Sequence, residues 1–186
     1  GIVTVAVSAL ALAACGSSGL EVDGPTPGTP QITGPITVFA ASSLKESFTI
    51  IGEKFREEHP GVTITFNFGA SSTLATQITQ KAPADVFASA STKTMDTVVQ
   101  SGDAAQVTTF AVNTMAIATP VDPTTPVTSL ADLTQAAVKV AVCQKDVPCG
   151  AAAEKLFATN GLSVTPSSQE VDVKSVLSKV QLGEVD

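Results

Sequence analysis

Ile36-Thr-Val-Phe-Ala-Ala-Ser-Ser43-Leu44 is a β-rich apolar run that empties into small residues and two serines just before a helix signal. A second stretch, Val62-Thr-Ile-Thr-Phe-Asn-Phe-Gly-Ala-Ser71-Ser-Thr-Leu74, repeats the design. A serine at the start of a helix offers its hydroxyl beside backbone N–H groups that have no intrahelical partner. The helix dipole adds partial positive charge at the same place. Two such starts converging would make an anion site without a single Lys or Arg.

Working outward, residues 36–41 read as a buried strand and Leu44 to about Glu58 as a helix. Leu44, Phe48, Ile51 and Phe55 recur on one helical stripe. Ser43 and Glu46 have the S-x-x-E spacing of a capping box, and His59-Pro60-Gly61 stops the helix. Val62 to Phe68 alternates as a second strand, and Ser72 to about Lys81 is a helix with Leu74 and Ile78 one turn apart. Ala84 to Ser89 is a short strand before a third helix, whose Met95, Val98 and Val99 face inward and which Gly102 closes. Strand and helix alternate, so the fold class is α/β with mostly parallel sheets flanked by helices. Each strand ends in small polar residues on one sheet edge, where open α/β sheets bind ligands.

An apolar strand is expected from Phe110 to Thr119, running into Pro120, Pro123 and Pro126 as the crossover to a second lobe. Ser129-Leu-Ala-Asp132 begins a short capped helix, and Val138 to Cys143 is a strand. Gly150 to Ala158 is a helix closed by Asn160-Gly161. Asp172 to Leu182 is another, with Asp172 as N-cap and Val173, Val176, Leu177 and Val180 as its apolar face. The first lobe is assigned to residues 36–112 and the crossover with the second lobe to residues 113–186. A lobe whose sequence stops soon after a helix is expected to be incomplete at its C-terminus.

The N-terminal part reads differently. Ile2 to Ala14 is uncharged, apolar and too short to cross a bilayer as a helix, which suits the hydrophobic region of a secretory signal. The chain begins at Gly1 with no basic n-region, so preceding residues are expected to be missing. Leu12-Ala-Ala-Cys15-Gly resembles a bacterial lipobox, which implies lipidation at Cys15 and an anchor on the extracytoplasmic face of the cell membrane. Residues 1–15 are therefore a signal and lipobox segment. Residues 16–35, with five Gly and four Pro, read as a flexible linker reaching on the order of 25 Å.

Ten basic against seventeen acidic residues give a net charge of −7 over 186 residues. No basic stripe is available for phosphates, which argues against a nucleic-acid partner. An anion would have to be held by local dipoles against a mildly repulsive overall field. Export makes Cys143 and Cys149 read as a local disulfide around a short polar loop. So small a ring contributes about 2 kcal/mol by loop-closure entropy. Two cysteines and a distant His59 cannot make a zinc site.

Val38-Phe-Ala-Ala-Ser-Ser-Leu44, Gly69-Ala-Ser-Ser-Thr-Leu74, Ala82-Pro-Ala-Asp-Val-Phe-Ala-Ser-Ala90 and Val147-Pro-Cys-Gly150 occur in that order behind the lipobox. Together they resemble the periplasmic molybdate-binding proteins of ABC import systems, over roughly residues 36–182. The resemblance implies a two-lobed type II solute-binding fold, a membrane ABC permease as partner, a monomer, and no cofactor or resident metal beyond the molybdenum of the bound oxyanion. Carried over by motif, oxyanion contacts fall on Ser43 and Ser71, each through hydroxyl and backbone N–H. Cys149 stands where the family usually has Ala and gives only its backbone N–H; Val173 does likewise. The family's remaining contact is a tyrosine hydroxyl shortly after the last helix, and this chain contains no Tyr.

The chemistry of the ligand agrees with such donors. Molybdate and tungstate are doubly charged and unprotonated near neutral pH, so their oxygens only accept hydrogen bonds. Hydrogen phosphate carries a proton and would want an acceptor beside it. Sulfate is fully deprotonated, so a carrier of sulfate or another oxyanion is the alternative within binding. An enzyme is disfavoured: neither serine sits in G-x-S-x-G, and His59 lies before a proline at a helix end. Asp85 and Asp103 stand apart and read as loop or cap carboxylates.

Overall fold

The computed structural model describes residues 31–123 and 125–186. The lipobox with Cys15, the signal segment and the linker up to residue 30 lie outside the described residues. Gly34 and Pro35, placed in that linker by composition, instead open the first strand.

Three parallel strands form the first sheet in the order β2-β1-β3: β1 Gly34–Ala41, β2 Val62–Gly69 and β3 Val86–Ala88. Between them run α1 Lys45–Glu58 and α2 Ser71–Thr79, and α3 Thr92–Gln100 follows β3. Successive side chains of a strand point to opposite faces, and β1 uses both. Val38 and Ala40 pack with Leu44 and Phe48 of the α1 layer, together with Ile64, Phe66 and Phe68. Phe39 packs on the other face with Leu74, Ala75 and Ile78 of α2 and Val98 of α3. The result is a sheet between two helical layers, with β1 at its centre.

A second, two-stranded parallel sheet pairs β4 Ala141–Cys143 with β5 Ser168–Glu170. It is preceded by a 3₁₀ segment, Leu130–Thr134, and flanked by α4 Pro148–Thr159 and α5 Val173–Gln181. Pro148 occupies the first turn of α4, where its missing N–H costs nothing. Asp172 caps α5 as the sequence indicates, its carboxylate accepting from the Ser175 N–H at 2.9 Å. β5 is not anticipated from sequence: Ser168-Gln-Glu170 carries no apolar alternation and owes its assignment to pairing with β4. Among the described residues no helix is long and apolar enough to cross a membrane.

Four local expectations are corrected. Ile51 is 58% exposed, and Gly52 takes its place on the buried stripe of α1. A Cβ at residue 52 would sit 2.7 Å from the Phe66 ring, so the close seat of that ring sets the rotation of the helix. Val99 is likewise exposed while Val98 is buried.

The capping box of Ser43 and Glu46 does not form. The chain winds one 3₁₀ turn at Ser42–Leu44 before α1, whose cap residue is Leu44 with no side-chain cap bond. Ser43 therefore lies inside the winding, not at an extended cap position.

The strand expected over residues 110–119 is also absent: residues 106–120 have no regular structure, and Val112 is 92% exposed. β-branched composition favours a strand only where a neighbour accepts its ladder, and among the described residues this run pairs with no strand of either sheet.

Candidate functional site

The register of the first sheet decides what its helix starts can share. Ala41 at the end of β1 lies opposite Gly69 at the end of β2, and Ala40 lies opposite Ala88 of β3. Ser43 and Ser71, each two residues beyond a paired position, therefore emerge side by side at the carboxyl edge, with Ser89, Ala90 and Ser91 on the other flank of β1. Chain connections leave β1 toward β2 and then cross back to β3, so this edge is also where the strand order reverses, the usual ligand crevice of such sheets.

The two serines differ in environment. Ser43 is exposed, and its hydroxyl has no protein partner among the described residues. Ser71 is the first residue of α2 and only 2% exposed. Its Oγ accepts a hydrogen bond from the Ala90 N–H at 2.9 Å, which leaves the hydroxyl proton free to donate. Ser72, the alternative within that pair, is half-buried.

From the second sheet, β4 leads into the Cys143–Cys149 disulfide, present as the spacing indicates, and Cys149 falls in the first turn of α4. β5 leads to Val173, the first residue of α5. At both positions the backbone N–H lies among the first amides of a helix, which lack an intrahelical acceptor. Gly150 makes the α4 start possible: a Cβ there would meet the Gln144 carbonyl oxygen at 1.9 Å. The loop between the two cysteines is thus drawn tight against the helix it precedes.

Ser43, Cys149 and Val173 all line one cavity of about 660 Å³, whereas Ser71 does not reach its lining. The cavity continues from these helix starts along α4, past Ala153, Leu156 and Phe157, and along α5, past Val176, Leu177 and Val180. Met115 to Ala118 and Leu133 close other parts of the wall, so the body of the space is apolar. The apolar face of α5 read from the sequence is therefore a cavity wall, not a buried core.

Lys174 also lines this space, a residue the sequence reading passed over. Its Nζ reaches Glu46 Oε1 in the first turn of α1 at 2.6 Å. That hydrogen bond holds the Glu46 carboxyl below its ordinary pKa. The other two carboxylates noted in the sequence do structural work. Asp85 accepts the Thr37 N–H at 2.7 Å beside β1. Asp103 accepts from Lys81 at 2.6 Å and from Ser101 at 2.7 Å, and the Lys81 bond first, then Ser101, lowers its pKa.

The family model described as bacterial extracellular solute-binding protein matches residues 36–186. The chain is 45% identical over 192 residues to the molybdate-binding protein ModA of Mycobacterium tuberculosis, an alignment covering 100% of this chain and 72% of that protein. It is 50% identical over 66 residues to the Escherichia coli protein of the same name, covering 36% of this chain and 25% of the relative. The periplasmic molybdate-binding protein of Azotobacter vinelandii shares the fold, with a TM-score of 0.59 at 18% identity over 81% of this chain and 68% of that one. These relatives are named as binding proteins, not enzymes. The chain belongs to the bacterial extracellular solute-binding proteins and, within them, to the ModA type.

Proposed function

We propose that this protein captures molybdate or tungstate outside the cytoplasm and hands it to a membrane ABC permease. The observation that carries the reading is the convergence of three helix starts, bearing Ser43, Cys149 and Val173, on one cavity. Ser43 supplies a hydroxyl with no competing partner, and Cys149 and Val173 supply backbone N–H groups. Ser71 lies outside the cavity lining, so its part is to hold the adjoining helix start in place, its Oγ accepting from the Ala90 N–H. A set of neutral donors suits a dianion whose oxygens only accept. The names of the relatives support the same ligand class.

In this reading residues 36–112 and 113–186 act as two lobes that close on the anion, a hinge motion common among two-lobed binding proteins. Lipidation at Cys15 holds the monomer at the extracytoplasmic membrane face, with the linker as tether. No cofactor or resident metal takes part. Sulfate or another oxyanion is the second reading, because donor chemistry alone accepts any fully ionised tetrahedral anion.

Titration calorimetry against molybdate, tungstate, sulfate and phosphate tests the proposal. Binding of molybdate and tungstate with weak or no response to sulfate and phosphate supports it. Preference for sulfate favours the second reading, and no response to any oxyanion removes both. Export and anchoring are tested by replacing Cys15 with Ala, which should release the protein from the membrane fraction.

A further inference from the structure

We infer that Glu46 and Lys174 form a latch across the ligand cleft, a positioning pair that holds the Val173 amide in front of Ser43. The inference rests on the oxyanion-binding reading above. Glu46 stands three residues after Ser43, and Lys174 follows Val173 directly. The two are 128 residues apart in sequence, and their Nζ···Oε1 distance is 2.6 Å. Among the described residues theirs is the one side-chain hydrogen bond joining residues 36–112 to residues 113–186. The other two ion pairs, Lys81–Asp103 and Lys179–Glu184, stay within one half each.

The placement of Lys174 has no local explanation. A lysine in the first turn of a helix opposes the helix dipole. Glu46 in the first turn of α1 suits its own dipole, and pairing with it offsets the cost to α5. The pair also decides what the anion meets. Lys174 lines the cavity, and with its ammonium engaged by Glu46 the bound dianion is left to neutral hydroxyl and amide donors.

Exposure sets the strength of the latch. The side chains are 35% and 66% exposed, so the pair is screened by solvent and breaks readily. A receptor that must give up its cargo to a permease needs a contact of that kind, strong enough to bias closure and weak enough to reverse.

The test is stopped-flow binding of molybdate to the full chain and to Glu46→Gln, Lys174→Gln and the double variant. Each single change should raise the dissociation rate about two- to five-fold, the range of an exposed ion pair, with the association rate little altered. The double variant should be no worse than either single one. Added salt should speed dissociation from the unaltered protein more than from Glu46→Gln. Unchanged dissociation in both single variants overturns the latch. So does a slowed association in Lys174→Gln with Glu46→Gln unaffected, since Lys174 would then act on the anion directly. Absence of molybdate binding in the unaltered protein instead removes the functional reading on which the latch stands.

Discussion

The hydroxyl oxygen of Ser71 lies 2.9 Å from the amide nitrogen of Ala90, so the start of α2 is tied to the loop that follows β3. Both belong to the carboxyl edge of the first sheet, and Ser71 is almost wholly buried there. Ser71→Ala removes the acceptor and leaves a half-buried N–H unpaired. The expected cost is about 1–3 kcal/mol of folding stability, together with weaker oxyanion binding. Chemical denaturation read beside calorimetry should show both losses.

Ser43→Ala should separate the two effects. Ser43 makes no side-chain cap bond and lines the cavity, so stability should change by less than about 0.5 kcal/mol. A hydrogen bond to a charged ligand contributes about 1.5–3 kcal/mol, so molybdate affinity should fall roughly ten- to a hundred-fold. A variant with native affinity would take Ser43 out of the site.

Gly150→Ala should be among the most damaging small substitutions in the second half. The added methyl would meet backbone atoms of Gln144 and Cys143, which cannot rotate away as a side chain could. Overpacking of this kind costs about 1–3 kcal/mol or more. Thermal unfolding should show the loss even without ligand.

Reduction of the Cys143–Cys149 bridge should cost about 2 kcal/mol through the freed loop, and should also weaken oxyanion binding. The second effect follows because the bridge fixes the first turn of α4, which presents the Cys149 amide. Calorimetry with and without a phosphine reductant checks it; a reduced protein that binds as tightly as the oxidised one would detach the bridge from the site.

Asp132 gives a pH signature away from the cavity. Its Oδ2 accepts from the backbone N–H of Thr128 and Ser129, at 2.9 and 2.8 Å, and from both of their hydroxyls. Those bonds, the backbone ones first, pull its pKa down from 3.8 to about 2. The folded value is the lower one, so the carboxylate contributes stability in full above roughly pH 5 and loses it as pH falls through 3.8 toward about 2. Melting curves of the unaltered protein and Asp132→Asn should differ near neutrality and converge toward pH 2.

What could be read from the sequence was what is local. The runs ending at Ser43 and Ser71 define their strands and helix starts because apolar alternation, small residues and periodicity all act within a few positions. The Cys143–Cys149 pairing and the Asp172 cap are equally short-range. What escaped depends on distant partners. Ile51 and Gly52 exchange roles because Phe66, on β2, sets how α1 is turned. The Ser43–Glu46 box fails where a 3₁₀ turn precedes the helix and Lys174 engages the glutamate. Residues 110–119 look like a strand by composition, but strand formation needs a neighbouring edge. The Ser71–Ala90 bond and the part of Lys174 in the cavity wall likewise become visible only when the sheet edge is assembled.

The most direct test of the account is the anomalous difference map from a crystal of the protein soaked with tungstate. One tungsten peak is expected in the cavity, with its oxygens within hydrogen-bonding reach of the Ser43 hydroxyl and of the Cys149 and Val173 amides. A peak elsewhere, or one whose oxygens are held by charged side chains instead of these helix starts, would contradict it.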